Sequence, residues 1–88
     1  MTGPPPRYEP RAVGGNEPRT LMWEAKAEAG RTSELLAWLL EVAPDGEVFT
    51  SADRLVLVVD LPASEAVPDP PAELVARPPH AWRFTRVR

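Results

Sequence analysis

His80 and Arg83 are the side chains of this sequence best placed by type to do chemistry. Histidine titrates nearest neutrality of all side chains, which suits it to general acid–base work. Arginine can polarise a substrate oxygen. His80 is the chain's single histidine and follows Pro78-Pro79. As a base it needs an orienting carboxylate and a cleft, and the spacing of the acids supplies no such partner. Four aromatic residues, Trp23, Trp38, Trp82 and Phe84, are the material for a pocket that takes a flat aromatic ligand. Tryptophan is equally an ordinary filler of small cores, and that reading is preferred here.

The remaining polar residues form no catalytic constellation. Glu24, Glu41, Glu47, Asp53 and Asp60 show no paired spacing for acid/base work. Asp60 interrupts an apolar face, so it either pairs with Arg83 or Arg86 or marks an exposed strand end. The Ser and Thr residues lack the glycines of a nucleophile elbow. Gly14-Gly15 precedes no helix and is not a phosphate loop. The absence of Cys excludes disulfides and Cys-based zinc sites, and a lone His excludes a multi-histidine metal cluster. No metal and no cofactor is implied.

The elements that must position these residues are organised around residues 54–61, the one long run of β-branched and aliphatic side chains. It reads as a strand buried on both faces. Before it, residues 20–27 alternate with period two. Leu21, Trp23, Ala25 and Ala27 share one face, and Met22, Glu24 and Lys26 the other, as in a half-buried strand. Thr32 or Ser33 offers a helix N-cap, and Leu35, Trp38, Leu39 and Val42 follow at helical spacing up to Pro44. This predicts a helix over 32–43. Residues 47–51 form a short strand, joined to the central one by a tight hairpin. Asp69 caps a short second helix through Ala76, ended by Pro78-Pro79. A last strand covers 80–87, with Trp82 and Phe84 on one face.

The expected class is α+β: a ferredoxin-like βαββαβ arrangement, with one four-stranded antiparallel sheet and a short second helix. The first strand lies between the central strand and the last, which brings Trp23 near Trp82. Residues 20–88 form the single domain. Residues 1–19 hold five of the twelve prolines and almost no aliphatic side chain, the composition of a disordered tail.

Composition narrows the function. Net charge is −3, with eleven acids and three bases over residues 21–73 and no acid after Glu73. Four late arginines beside an acidic body do not suit nucleic acid. Residues 1–7 lack the apolar stretch of a signal peptide, and no run approaches the ~20 residues of a membrane span. A cytoplasmic protein without membrane contact is expected. A chain of 88 residues without staples often relies on association. One twelve-residue helix and a shorter one cover only one sheet face, while the central strand is apolar on both. A homodimer packed sheet to sheet about a two-fold axis removes that exposure; the alternative is a monomer whose proline-rich tail covers that face.

The run Leu21-Met22-Trp23-Glu24-Ala25-Lys26-Ala27, then Gly30-Arg31 and Glu34-Leu35-Leu36-Ala37-Trp38-Leu39, resembles the opening of dimeric α/β-barrel proteins, notably the antibiotic biosynthesis monooxygenase-like family. The hairpin of Glu47-Val48-Phe49 with Arg54-Leu55-Val56-Leu57-Val58-Val59-Asp60 is similar to theirs too. The resemblance implies a ferredoxin-like fold and a dimeric barrel. It carries over no catalytic residue. Quinone-forming members commonly use an Asn, and the chain's only Asn is Asn16. Haem-degrading members use a helical His, and His80 opens a strand.

Three functions follow. The first is a small non-enzymatic dimeric binding or accessory protein. The second is a cofactor-independent monooxygenase-like enzyme acting on a small aromatic molecule, with Trp23, Trp38, Trp82 and Phe84 around it and His80 or Arg83 polarising it. The third is a regulatory domain that binds a small ligand at the dimer interface.

Overall fold

In a computed structural model of the protein, residues 19–88 are described. The elements are β1 (Thr20–Lys26), α1 (Thr32–Val42), β2 (Glu47–Ser51), β3 (Arg54–Asp60), a 3₁₀ turn (Ala72–Leu74) and β4 (His80–Phe84). The expected disordered tail lies, Arg19 apart, outside the described residues. The class is α+β, with one α-helix on a four-stranded antiparallel sheet of order β2-β3-β1-β4.

Alternation decides the core. Leu21, Trp23 and Ala25 of β1 and Leu55 and Leu57 of β3 point to the helix side and are buried. Leu35 and Leu39, one helical turn apart, meet them with no exposed surface. Each of these fully buried leucines is worth about 1.5–3 kcal/mol of removed apolar surface. Leu36, Trp38, Val42, Val48 and Val59 pack around this cluster. β3 is buried on that face only. Val56 and Val58, on the other face, keep part of their surface exposed, so the expectation of a strand covered on both sides is corrected.

The helix starts one residue earlier in function than Thr32 suggests. Arg31 holds the N-cap position and no side chain caps it. An ion pair between Arg31 and Glu34 ties the first turn instead. The preceding turn closes with the Arg31 amide donating to the Glu28 carbonyl at 2.9 Å. Its third residue, Gly30, has φ +79°, where glycine carries no Cβ penalty. The helix ends at Ala43, whose amide reaches the Leu39 carbonyl at 3.0 Å, and Pro44 prevents continuation.

Gly46 opens the path into β2 through a tight spot. A Cβ there would sit 2.3 Å from Leu57 Cδ1. The hairpin from β2 to β3 turns on Ala52-Asp53, between the paired residues Ser51 and Arg54. Ala52 has φ 56°, a position that favours glycine.

Two expected elements are shorter. The second helix is a single 3₁₀ turn, because Pro70-Pro71 and Pro78-Pro79 bracket too few residues for an α-helical ladder. Pro71, not Asp69, precedes its first residue, and Val75 is already extended. β4 ends at Phe84 rather than at Val87. Residues 62–79 therefore form a proline-rich strap. It is tied to the end of β1 by a bridge between Ala27 and Val75. The Glu28 amide donates to the Leu74 carbonyl and the Ala76 amide to the Lys26 carbonyl, both at 2.9 Å.

Candidate functional site

The expected site residues divide between the two faces of the sheet. Trp23 pairs in register with Ala81, and Trp82 pairs with Met22. Trp23 and Trp82 are therefore on opposite faces, although β1 and β4 are neighbours. Trp23 joins Trp38 on the helix side, with ring centroids 6.2 Å apart and planes tilted by 37°. Trp82 and Phe84 project from the open side, 47% and 46% exposed. The four aromatics do not enclose one cavity.

Arg83 faces the helix side beside Leu21. Its guanidinium donates to the Leu61 carbonyl at 2.7 Å and to the Glu65 carbonyl. Arg83 thus clasps the strap where a second helix would otherwise cover β4. Under the strap lies a cleft of about 330 Å³, bounded by Leu21, Trp23, Val67, Asp69, Ala81 and Arg83. Of the expected site residues it gathers Trp23 and Arg83 alone.

His80 is exposed at the start of β4, on the open side, stacked on Trp82 with centroids 5.9 Å apart and planes at 15°. Glu24 is its register partner. The Glu24 carboxylate accepts Arg54 Nε at 2.9 Å, which spends it on another strand. Asp60 accepts a hydrogen bond from Thr20 Oγ1 at 2.9 Å. Among the described residues it forms no ion pair with Arg83 or Arg86. At the far end of the molecule, the hydrogen bond and charge of Glu34 push the Arg31 guanidinium above its ordinary range. No group of three or more metal-ligating side chains occurs among the described residues. No helix among them is long and apolar enough to cross a membrane.

The open face is the more informative surface. Its rows can be read from the strand pairings in the order β2, β3, β1, β4. One row is Phe49, Val56, Glu24, His80. The next is Glu47, Val58, Met22, Trp82. Beyond them lie Asp60, Thr20 and Phe84 at one end, and Ser51, Arg54 and Lys26 at the other. The apolar members run obliquely, as a diagonal from the middle of β2 to the end of β4: Phe49, Val56, Val58, Met22, Trp82, Phe84. Phe49 is 54% exposed. None of these six packs into the core cluster on the helix side. Phe49 and Met22 were not among the residues singled out from the sequence. The signal for Phe49 was present, since it stands out of phase with Val48, whose side chain points to the helix.

Compared with protein-family models, curated proteins and solved structures, the chain shows no significant match.

Proposed function

We propose that this chain is a non-enzymatic binding or accessory protein of the ferredoxin-like class, working as a homodimer through the open sheet face. The observation that carries this reading is the apolar diagonal, with three large aromatic side chains about half exposed. Soluble monomers rarely leave such a continuous apolar patch in water. The strand order, with β1 and β3 central, supports the class, and the resemblance to dimeric barrels points the same way. The enzymatic alternative called for Trp23, Trp38, Trp82 and Phe84 around one substrate. Their division between two faces disfavours it.

Size bears on strength. Two strands of seven residues and two of five, spaced by ~4.8 Å and rising ~3.3 Å per residue, give a face of about 380 Å² in flat projection. Side-chain relief raises this towards, but not far beyond, the ~800 Å² per partner of a standard interface. A dimer that dissociates on dilution is therefore expected. Light scattering on a sizing column tests it: a mass near twice 9.7 kDa at high concentration, falling on dilution. A mass of one chain at every concentration, up to the solubility limit, would overturn the proposal.

A further inference from the structure

We infer that the cleft under the strap binds a compact zwitterion with an apolar body: an apolar α-amino acid the size of leucine or phenylalanine. The inference goes beyond the sheet-face reading and does not depend on it, because the cleft lies on the helix side and the dimer uses the opposite face. It begins with what the shortened second element leaves uncovered. On the helix side of β1, Leu21 and Trp23 are buried. Ala81 of β4 is the register partner of Trp23 and lies on the same side, yet it is exposed. The 3₁₀ turn does not reach it, since the strap there pairs with Lys26 and Glu28, beyond the end of β4. The space over β4 that an α-helix would fill is only bridged by the strap, and about 330 Å³ of it stays open. That is room for about eleven water-sized groups of ~30 Å³ each.

The boundary of this space has two kinds of surface. Leu21, Trp23, Val67, Pro79 and Ala81 supply the apolar part, and Arg83 and Asp69 are its charged members. Arg83 is half-buried and gives two of its five N–H donors to the Leu61 and Glu65 carbonyls. Those carbonyls orient the guanidinium without cancelling its charge. Among the described residues, Arg83 has no carboxylate within ion-pair distance, and Asp69 has no cation. Opposite charges that border one cleft of this size without touching can be bridged by a small molecule that carries both. The free N–H groups of Arg83 suit a carboxylate, through charge-assisted hydrogen bonds. A plain carboxylic acid meets repulsion from Asp69, and a plain amine meets it from Arg83. An α-amino acid carries its carboxylate and ammonium on one carbon. Its side chain is left for the apolar surface beside Trp23, where no further polar partner is offered.

Occupancy has a second consequence. Val67 and Asp69 belong to the strap, while Leu21, Trp23, Ala81 and Arg83 belong to the sheet. A ligand between them adds contacts that exist only when the strap is closed on β4. Binding therefore stabilises the closed strap, and amide exchange at Ala66, Val67 and Asp69 slows.

Titration of the full ¹⁵N-labelled chain with L-phenylalanine and with L-leucine, followed by NMR, tests the site. The indole N–H signals of Trp23 and Trp38 are expected to shift and saturate, with a dissociation constant on the order of 1 mM or tighter. Trp82, on the open side, is the internal control and is expected not to move. 3-Phenylpropionate lacks the ammonium and phenethylamine lacks the carboxylate; each is expected to bind about tenfold more weakly or worse. Asp69→Asn, an exposed and conservative change, is expected to weaken L-phenylalanine about tenfold while leaving 3-phenylpropionate no weaker. Ala81→Leu fills the cleft and is expected to abolish the shifts, with circular dichroism confirming its fold. The absence of saturation by either amino acid up to ~10 mM overturns the site. So do shifts centred on Trp82, or undiminished binding to Ala81→Leu. Binding of 3-phenylpropionate as tight as that of L-phenylalanine, or an Asp69→Asn chain that keeps wild-type affinity, overturns the zwitterion. None of these outcomes touches the sheet-face dimer, and a monomeric mass in light scattering leaves this site standing.

Discussion

Replacing Gly46 with alanine probes a close approach between the α1–β2 connection and β3. The added Cβ would lie 2.3 Å from Leu57 Cδ1 and 3.2 Å from Val59 Cβ. Ordinary carbon contacts need ~3.5–4.0 Å, so more than an ångström of overlap must be relieved. Leu57 has no exposed surface and cannot swing into solvent. Forcing an extra carbon into such a site costs about 1–3 kcal/mol. Reduced freedom of the unfolded chain returns about 0.4–1 kcal/mol, leaving a net loss near 1–2 kcal/mol. Leu57→Val withdraws the clashing methyl. Alone it loses one buried carbon and leaves a small void, about 1 kcal/mol. In the double variant the void receives the new Cβ. The pair is then expected to cost about 1 kcal/mol in total, well below the sum of the single losses. Equilibrium urea unfolding, followed by the fluorescence of Trp23 and Trp38 at one fixed protein concentration, measures all four corners of the cycle. Additivity within ~0.5 kcal/mol would refute the reasoning, because it would mean that Gly46 and Leu57 do not compete for one space.

Other perturbations follow from the same contacts. Arg83→Met keeps much of the stem but loses both bonds to the strap. Amide exchange is expected to accelerate in residues 62–79 while β1 and β3 stay protected; uniform protection would remove Arg83 as the clasp. Ala52→Gly relieves about 1–2 kcal/mol of left-handed strain and loses about 0.4–1 kcal/mol to a freer unfolded chain, so the thermal midpoint should rise slightly; a lower midpoint would contradict that account. Leu39→Ala, in the helix face that caps β1 and β3, is expected to cost about 2–5 kcal/mol in denaturant unfolding. Trp82→Ser should weaken self-association in light scattering while leaving the unfolding free energy of the monomer little changed, since Trp82 lies outside the core.

Periodicity made most of the elements legible. The period-two pattern of Leu21, Trp23 and Ala25 and the helical spacing of Leu35 and Leu39 place those residues where the structure has them. The pairing register of β4 against β1 was not legible. It sets Trp23 opposite Ala81, and a shift of one residue between strands reverses which faces meet. The joint aromatic pocket depended on that register. The second helix depended on Asp69 as a cap, but four prolines around one short segment left room for a single 3₁₀ turn. Arg83 was noticed for its charge. Its bonds to the Leu61 and Glu65 carbonyls came from the path of the strap, which carries no periodic signal.

Among the described strands, β1 is the first to be synthesised and has its pairing completed last. Thr20 pairs on one side with Asp60 and on the other with Phe84, so the middle strand of the sheet waits for residues far down the chain. Such non-local pairing slows folding, because loops must close before contacts repay them. On the ribosome, Leu21 and Trp23 emerge long before β4 can leave the exit tunnel. Until then the nascent sheet carries β1 as an unpaired edge, exposed to neighbouring chains. The position of one strand thus keeps a sheet edge open to neighbouring chains until β4 has emerged.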